Sequence, residues 1–364
     1  MGEKMNGLSR EMIIHPGETL KEVLEERNMS QQELALRTGV SPKHISTVLN
    51  GEKNISANFA NKLEYALNID AEFWMNLQNH YDKELFEFDE LHSISQEEIN
   101  IFKSMKEIFE YITENKFIPV IKQIEQNILE LRKYLNISSL TSIPSIVSSG
   151  AFRAQTSIEY NPYILFTWQK ICESLSEKIT PETLDYENQI EKLLSICPKI
   201  KSLSLLPQKD FIQKLQEYFS TCGITFVIAP QFKGAPVQGF IKTEQDGKTI
   251  ICMTFRQCRA DIFWFTLFHE IGHFINGDSK QKFIDFESSD NAKERKANLF
   301  AQNTLLDKTD YQNFINGKDF SLAAIDAFAK RQNILPTIVI GRLQKEEYLK
   351  WSDFTREIVK YEKM

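Results

Sequence analysis

Hydrophobic residues recur at helical spacing through most of the chain and change to short strand-like runs in one region only. Residues 12–80 alternate apolar and polar positions with a period of three to four, which predicts several short amphipathic helices. Beyond Gly223, three apolar runs at residues 224–229, 237–241 and 249–254 are separated by turn-forming loops and predict strands. This pattern predicts an α+β multidomain fold: an all-α helix-turn-helix domain over residues 1–80, a helical connecting region over 81–220, and an α+β domain with a small sheet over 221–364.

The N-terminal pattern carries strong helix boundary signals. Ser30 and Glu33 have the spacing of a capping box, and Ser41 followed by Pro42 is typical of a helix start. Gly39 between them supplies a tight turn, so two short helices are predicted to form a helix-turn-helix whose second helix enters the DNA major groove. The predicted DNA contacts are Gln31, Gln32, Ser41, Lys43, His44, Ser46, Thr47, Asn50 and Lys53.

Charge alone leaves a second interpretation of this domain open. Residues 1–72 hold eight basic and eleven acidic side chains, which favours a small helical bundle used for protein contacts. Between Arg37 and Lys62, however, four basic residues accompany a single acidic one, so the segment that would meet phosphates is positive. We therefore expect DNA binding through a local patch rather than through the overall charge.

The N-terminal segment resembles the helix-turn-helix of HigA-type antitoxin regulators. The resemblance lies in residues 14–20, 30–35 and 51–56 and in Phe73-Trp74-Met75-Asn76-Leu77-Gln78. It implies recognition of double-stranded operator DNA, with the recognition helix on base edges and Gln31 or Gln32 on the backbone. Because one short helix reads too few base pairs for a specific site, we expect a homodimer.

The motif His269-Glu270-Ile271-Gly272-His273 is the main candidate for chemistry. Two histidines four residues apart project from one face of a helix and can bind one Zn²⁺ ion, while Glu270 serves as a general base. The apolar segment 261–268 upstream predicts a core helix, with Asp261 as its N-terminal cap. Gly272 leaves room for a neighbouring backbone. The weaker interpretation is that His269 and His273 are ordinary buried histidines, because the chain has only six histidines and two of them fall at this spacing.

A carboxylate from a second helix is predicted to complete the metal site. Residues 291–301 have a helical pattern in which Glu294 and Asn298 share a face. This resembles the second helix of gluzincin-type peptidases, where a Glu ligand is followed by a polar residue that hydrogen-bonds a histidine ligand. Glu294 is the preferred third ligand; the alternatives are Asp278, Asp285, Glu287 and Asp290. Cys252 and Cys258 form no CxxC pair and are not expected to bind the metal.

Composition excludes several classes of protein. The chain has 364 residues and a net charge of −7, so it is not uniformly basic. No apolar run approaches the length of a membrane span, and the start of the sequence lacks the features of a signal peptide. Five scattered cysteines suit a reducing compartment. We therefore expect a cytoplasmic protein with no membrane partner.

The second half of the chain resembles the ImmA/IrrE family of metallopeptidases. The resemblance lies in Phe152-Arg153, Asn161-Pro162-Tyr163, Trp168, and segments 234–237, 263–270, 282–285, 297–301 and 338–344. It implies zinc ligation by His269, His273 and Glu294, a general base at Glu270, and cleavage of a repressor or other partner protein in stress or mobile-element responses. The alternative is a HigA-like antitoxin or repressor whose zinc domain senses or scaffolds without proteolysis.

Overall fold

The computed structural model describes residues 10–147, 159–244, 247–277 and 291–363. The chain divides into two compact units, one formed by Met1–Ile99 with Gln123–Leu129 and the other by Asn100–Lys122 with Glu130–Met364. The α+β multidomain class is confirmed, whereas the boundaries predicted at residues 80 and 220 stay predictions. Among the described residues, no helix combines the length and apolar character needed to cross a membrane.

The N-terminal unit is built from helices whose ends follow the sequence signals. They are α1 (Pro16–Glu26), α2 (Gln31–Thr38), α3 (Pro42–Leu49), α4 (Ala57–Leu67) and α5 (Ala71–Ser93). The hydroxyls of Ser30 and Ser41 accept hydrogen bonds from the N–H groups of Glu33 and His44, and Gly39 ends α2 in the left-handed conformation. The predicted helix-turn-helix is thus confirmed.

A close approach between α1 and α3 fixes the geometry of this unit. A Cβ atom on Gly17 would lie 2.1 Å from the carbonyl oxygen of Val48. Glycine therefore lets α1 touch the backbone of α3, and a fully buried core closes around this contact. Its largest members are Leu20, Leu34, Phe59, Leu63 and Trp74.

The second unit combines helices with one small sheet. In chain order, α6 (Gln96–Ser104) begins in the first unit and ends in the second, α7 (Lys106–Glu114) belongs to the second, and α8 (Ile124–Leu135) again begins in the first and ends in the second. Four more helices of the second unit precede the sheet: α9 (Ile143–Ile146), α10 (Pro162–Ser176), α11 (Tyr186–Ser202) and α12 (Gln208–Thr221). Its strands are β1 (Ile224–Ile228), β2 (Gly239–Thr243) and β3 (Thr249–Met253). The buried β3 is central, parallel to β1 and antiparallel to β2, so β2 lies at one edge. Gln245 and Asp246, which follow β2 and precede β3 in the chain, lie outside the described residues.

The remaining helices include the one that bears the histidine motif. They are α13 (Ala260–Ile275), α14 (Asn291–Leu305), α15 (Lys308–Gly317), α16 (Leu322–Gln332) and α17 (Pro336–Lys345). α13 is buried along most of its length, and the indole N–H of its Trp264 donates to the hydroxyl of Tyr361 at 2.8 Å. The predicted core helix is therefore observed.

Asp261 was expected to cap α13, and this expectation is wrong. The capping position is Arg259, and Asp261 lies inside the first turn. The Arg259 guanidinium donates two hydrogen bonds to the Asp261 carboxylate, at 3.0 and 2.8 Å. α17 passes so close that a Cβ atom on Gly341 would lie 2.2 Å from Oδ2 of Asp261. The Asp261 carboxylate is therefore held by its ion pair with Arg259 and by packing against α17, and it is not the cap of α13.

Candidate functional site

Three side chains from α13 and α14 converge on one point. Nε2 of His273 lies 3.0 Å from Nε2 of His269, and the Glu294 carboxylate oxygens lie 3.3 Å from Nε2 of His269 and 3.2 Å from Nε2 of His273. The histidines meet because one helical turn separates them, and Glu294 meets them because α14 packs along α13. These three residues form a group able to hold a metal ion.

Gly272 permits this packing. A Cβ atom at this position would lie 3.0 Å from Cα and 3.1 Å from the carbonyl oxygen of Ala297. Ala297 is itself small and fully buried, so the two backbones approach closely between the histidines and Glu294. The backbone of α14, which carries the candidate ligand Glu294, therefore occupies the space expected beside Gly272.

Asn298 determines how the first histidine presents its nitrogens. The side-chain oxygen of Asn298 lies 3.0 Å from Nδ1 of His269. Since this oxygen can only accept, Nδ1 carries the proton and Nε2 of the neutral imidazole keeps its lone pair toward Glu294 and His273. The Phe265 ring stacks against His269 from the preceding turn, with centroids 6.2 Å apart. Orientation and tautomer of His269 therefore suit metal ligation.

The spacing of the donor atoms fits zinc. Bond lengths of about 2.0–2.1 Å in a tetrahedral site put neighbouring ligand atoms roughly 3.3 Å apart, close to the observed 3.0–3.3 Å. The adjacent His269 and His273 imidazoles hold the pKa of the Glu294 carboxyl far below its usual range, so it is an anion at neutral pH. Two imidazoles and one carboxylate are a donor set typical of catalytic zinc.

Glu270 is adjacent to this group without belonging to it. Burial raises the pKa of Glu270, and nearby His269 and His273 act in the opposite direction, as does the backbone N–H of Ile241 on the edge strand β2. The sequence gives no signal for Ile241, because its part in the site comes from a backbone group. A partly buried carboxylate beside the metal group can take up and release a proton.

The alternatives to Glu294 differ in what can be said of them. Asp278, Asp285, Glu287 and Asp290 lie outside the described residues, as do Phe152, Arg153 and segment 282–285 of the resemblance. Cys252 is fully buried, with its Sγ 2.8 Å from Sγ of Cys172, so it faces α10 and not the histidines. The cysteine thus has a partner away from the metal group.

The predicted DNA contacts fall into two sets by burial. Gln31, Gln32, Lys43, Asn50 and Lys53 are exposed and available to a partner. Ser41 is also exposed, although its hydroxyl caps α3, and Ser46 and Thr47 are half-buried. The Thr47 hydroxyl donates to the carbonyl of His44, within its own helix.

His44, one of the predicted DNA contacts, is half-buried. Its ring meets the Phe59 ring edge to face at 4.9 Å, and its Nδ1 lies 3.1 Å from the Lys53 ammonium. Burial lowers the pKa of His44, and Lys53 and Lys62 lower it further, so the neutral ring accepts a hydrogen bond from Lys53. His44 therefore supports the loop after α3 in addition to any contact with DNA.

Comparison with known proteins agrees with both halves of this description. Residues 20–74 match the family described as helix-turn-helix, and residues 259–330 match the family described as IrrE N-terminal-like domain. "Virulence-associated protein I" of Dichelobacter nodosus is 36% identical over 77 residues, which cover 21% of this chain and 71% of that protein. The chain belongs to the helix-turn-helix family. Its C-terminal half carries an IrrE N-terminal-like domain, of a metallopeptidase-like family.

Two further relatives match this helix-turn-helix domain. "Uncharacterized HTH-type transcriptional regulator YddM" of Escherichia coli is 33% identical over 64 residues, 18% of this chain and 68% of that protein. A solved structure, "Pseudomonas aeruginosa antitoxin HigA with higBA promoter", is 33% identical and covers 23% of this chain and 96% of that chain, with a TM-score of 0.21.

Proposed function

We propose that this protein is a transcriptional regulator that binds operator DNA through α3 and hydrolyses a peptide bond of a partner protein at a zinc site. The observation that carries the proposal is the convergence of His269, His273 and Glu294 within 3.0–3.3 Å, with Glu270 on the same helix but outside the ligand set. A purely structural metal site needs ligands but no base.

The residues divide the chemistry among them. Zinc held by His269, His273 and Glu294 would act as a Lewis acid on a peptide carbonyl and lower the pKa of a water molecule. Glu270 would take a proton from the attacking water as its oxygen bonds to the carbonyl carbon, and would give a proton to the amine as the C–N bond breaks, which is general acid–base catalysis by one carboxylate. Asn298 keeps His269 in the tautomer that ligation requires.

The edge strand supports a peptide substrate. β2 pairs on one side with β3, and the described part of the sheet contains no strand on its other side. β2 also packs against α13, and its Ile241 N–H lies near the Glu270 carboxylate. An extended peptide could add to this edge through backbone hydrogen bonds and so pass beside Glu270. The cleaved protein would be a repressor or a toxin that the regulator meets in the cytoplasm.

The variant Glu270→Gln tests the proposal, because it keeps the shape of the side chain and removes the base. We expect Glu270→Gln to hold one zinc ion per chain by elemental analysis and to bind the operator as wild type does. Protein N-termini that arise in cells only when the wild-type protein is present should not arise with this variant. The exposed Glu362→Gln is the matched control and should behave as wild type.

The alternative function predicts a different result. If Glu270→Gln yields the same N-termini and the same gene expression as wild type, while His269→Ala fails in both, the zinc site is sensory or structural. The protein would then be an antitoxin-like repressor without proteolysis.

A further inference from the structure

A cavity of about 480 Å³ lies where α13, α14 and α17 meet. Its volume is within the range that small-molecule sites occupy, and its surface is mainly apolar. The apolar side chains that line it are Ile262, Phe265, Leu305, Leu306, Ile338 and Trp351. Asn298 lines it as well, so the cavity touches a residue that also holds a histidine of the metal group.

The acidic and basic side chains at the cavity differ in how fully their hydrogen-bonding groups are paired. Asp261 is satisfied by two hydrogen bonds from Arg259. Glu346 accepts from Nε of Arg342 at 2.9 Å and from the hydroxyl of Tyr311 at 2.7 Å. Both carboxylates therefore already have partners of their own.

The basic side chains of Arg342 and Lys345, in contrast, have N–H donors that stay unpaired among the described residues. Nη1 of Arg342 donates to the carbonyl of Gln302 at 3.1 Å, and its Nη2 makes no hydrogen bond within the described part of the chain. Lys345 is exposed and makes no ion pair with any residue that the structure describes. An apolar cavity with two spare cationic donors at its edge is complementary to an apolar molecule with one anionic group.

We propose that this cavity binds a small carboxylate with an aromatic or aliphatic body and that its occupancy tunes the metal centre. The body packs on Phe265, Leu306 and Trp351, and the carboxylate receives Arg342 and Lys345. Such a molecule contacts Asn298, which accepts from Nδ1 of His269, and Phe265, whose ring stacks on the same histidine. A ligand that shifts either neighbour changes how well His269 binds zinc, and by linkage zinc changes the affinity for the ligand equally. This coupling rests on the proposed zinc site, whereas carboxylate binding does not.

Tryptophan fluorescence offers a direct readout of binding. Trp351 is 59% exposed, whereas Trp74, Trp168 and Trp264 are at most 1% exposed. We expect 4-phenylbutyrate and decanoate to cause a saturable change in emission that is absent in Trp351→Phe. 4-Phenylbutyramide, which lacks the charge, should bind about tenfold more weakly, the factor that loss of a charged hydrogen bond gives. No saturable change at millimolar carboxylate, or equal binding of acid and amide, would overturn the proposal.

Two lysine variants locate the site. Lys345→Met should weaken 4-phenylbutyrate binding severalfold, whereas Lys330→Met, an exposed lysine on α16 away from the cavity lining, should not. Unchanged affinity in Lys345→Met contradicts the assignment of the carboxylate.

N-Acetyl-phenylalanine amide distinguishes a free carboxylate ligand from a peptide, because it carries the ring on a peptide backbone without a carboxylate. If it displaces 4-phenylbutyrate and binds more tightly, the cavity is a peptide side-chain subsite and the proposal fails.

Zinc affinity tests the coupling separately. Competition with a fluorescent chelator, with and without saturating 4-phenylbutyrate, should give zinc dissociation constants that differ about fivefold or more. Equal constants would overturn the coupling while leaving the binding site intact. A protein that binds 4-phenylbutyrate through Lys345 but takes up no zinc would refute the proposed function and not the cavity.

Discussion

The side-chain oxygen of Asn298 lies 3.0 Å from Nδ1 of His269, which leaves Nε2 of that histidine facing Glu294 and His273. One residue on α14 thereby sets the tautomer of a residue on α13. The same two helices are in close backbone contact at Gly272. Orientation of the metal group thus depends on the packing of a helix pair.

Removing the Asn298 acceptor should weaken zinc binding without unfolding the protein. We expect Asn298→Ala to raise the zinc dissociation constant about 10- to 100-fold, the usual effect of losing a hydrogen bond to a metal-binding histidine. Asn298→Asp keeps an acceptor and should recover most of the affinity. Asn303→Ala, an exposed asparagine on the same helix, is the control. Equal affinity of Asn298→Ala and wild type in chelator competition would show that the tautomer is set by other groups.

Enlarging Gly272 should separate the two helices. In Gly272→Ala, the new methyl group would lie about 3.0 Å from the Ala297 backbone, so α14 must shift and carry Glu294 away from the histidines. We expect a loss of roughly 1–3 kcal/mol in unfolding free energy, typical of overpacking, together with reduced zinc occupancy. Gly317→Ala is a matched control, because its Cβ would meet open space. A variant with full zinc occupancy and wild-type stability would refute this role of Gly272.

Lys43 and His44 should respond differently to alanine. Lys43 is exposed, so Lys43→Ala should weaken operator binding and lower the salt dependence by about one phosphate contact, with stability unchanged. His44→Ala removes the ring that packs on Phe59 and should lower the unfolding free energy of the N-terminal unit. Binding titrations at several salt concentrations and chemical denaturation distinguish the two. If Lys43→Ala binds the native operator as tightly as wild type, α3 does not contact DNA through this residue.

The ion pair between Glu173 and Lys242 should make stability depend on acid pH. Burial raises the pKa of Glu173, but the Lys242 ammonium, 2.8 Å away, together with Lys170 and Gln169, outweighs burial and lowers the pKa overall. A depressed folded-state pKa means that the contribution is complete above the unfolded pKa, about 4.3, and is lost as the pH falls through the lower folded value.

Glu173→Gln measures this contribution. We expect it to cost on the order of 1 kcal/mol in unfolding free energy at pH 7, with the difference from wild type shrinking below about pH 4. Glu217→Gln is the control, since its pair with Lys214 has a similar distance of 2.7 Å but is about half exposed. A difference for Glu173→Gln that stays constant between pH 7 and pH 3 would contradict the pKa shift.

Local chemistry made much of this protein predictable from its sequence. The caps at Ser30 and Ser41 and the turn at Gly39 depend on neighbours within a few residues, and each was confirmed. The helix over the histidine motif is likewise observed. Glu294 and Asn298 could be paired with His269 and His273 because one helical turn separates the members of each pair. The fold class followed from the same periodicities.

Only the tertiary structure decided the features that join distant segments. Asp261 is held by Arg259 beneath Gly341 rather than capping its helix, and His44 turns toward Phe59, because packing and ion pairing outweigh local preference. The nearness of the Ile241 N–H to Glu270 involves a backbone group, which leaves no trace in residue types. The cavity beside Asn298 arises where three helices fail to fill the space between them, and that depends on their relative positions, which periodicity along the chain does not specify.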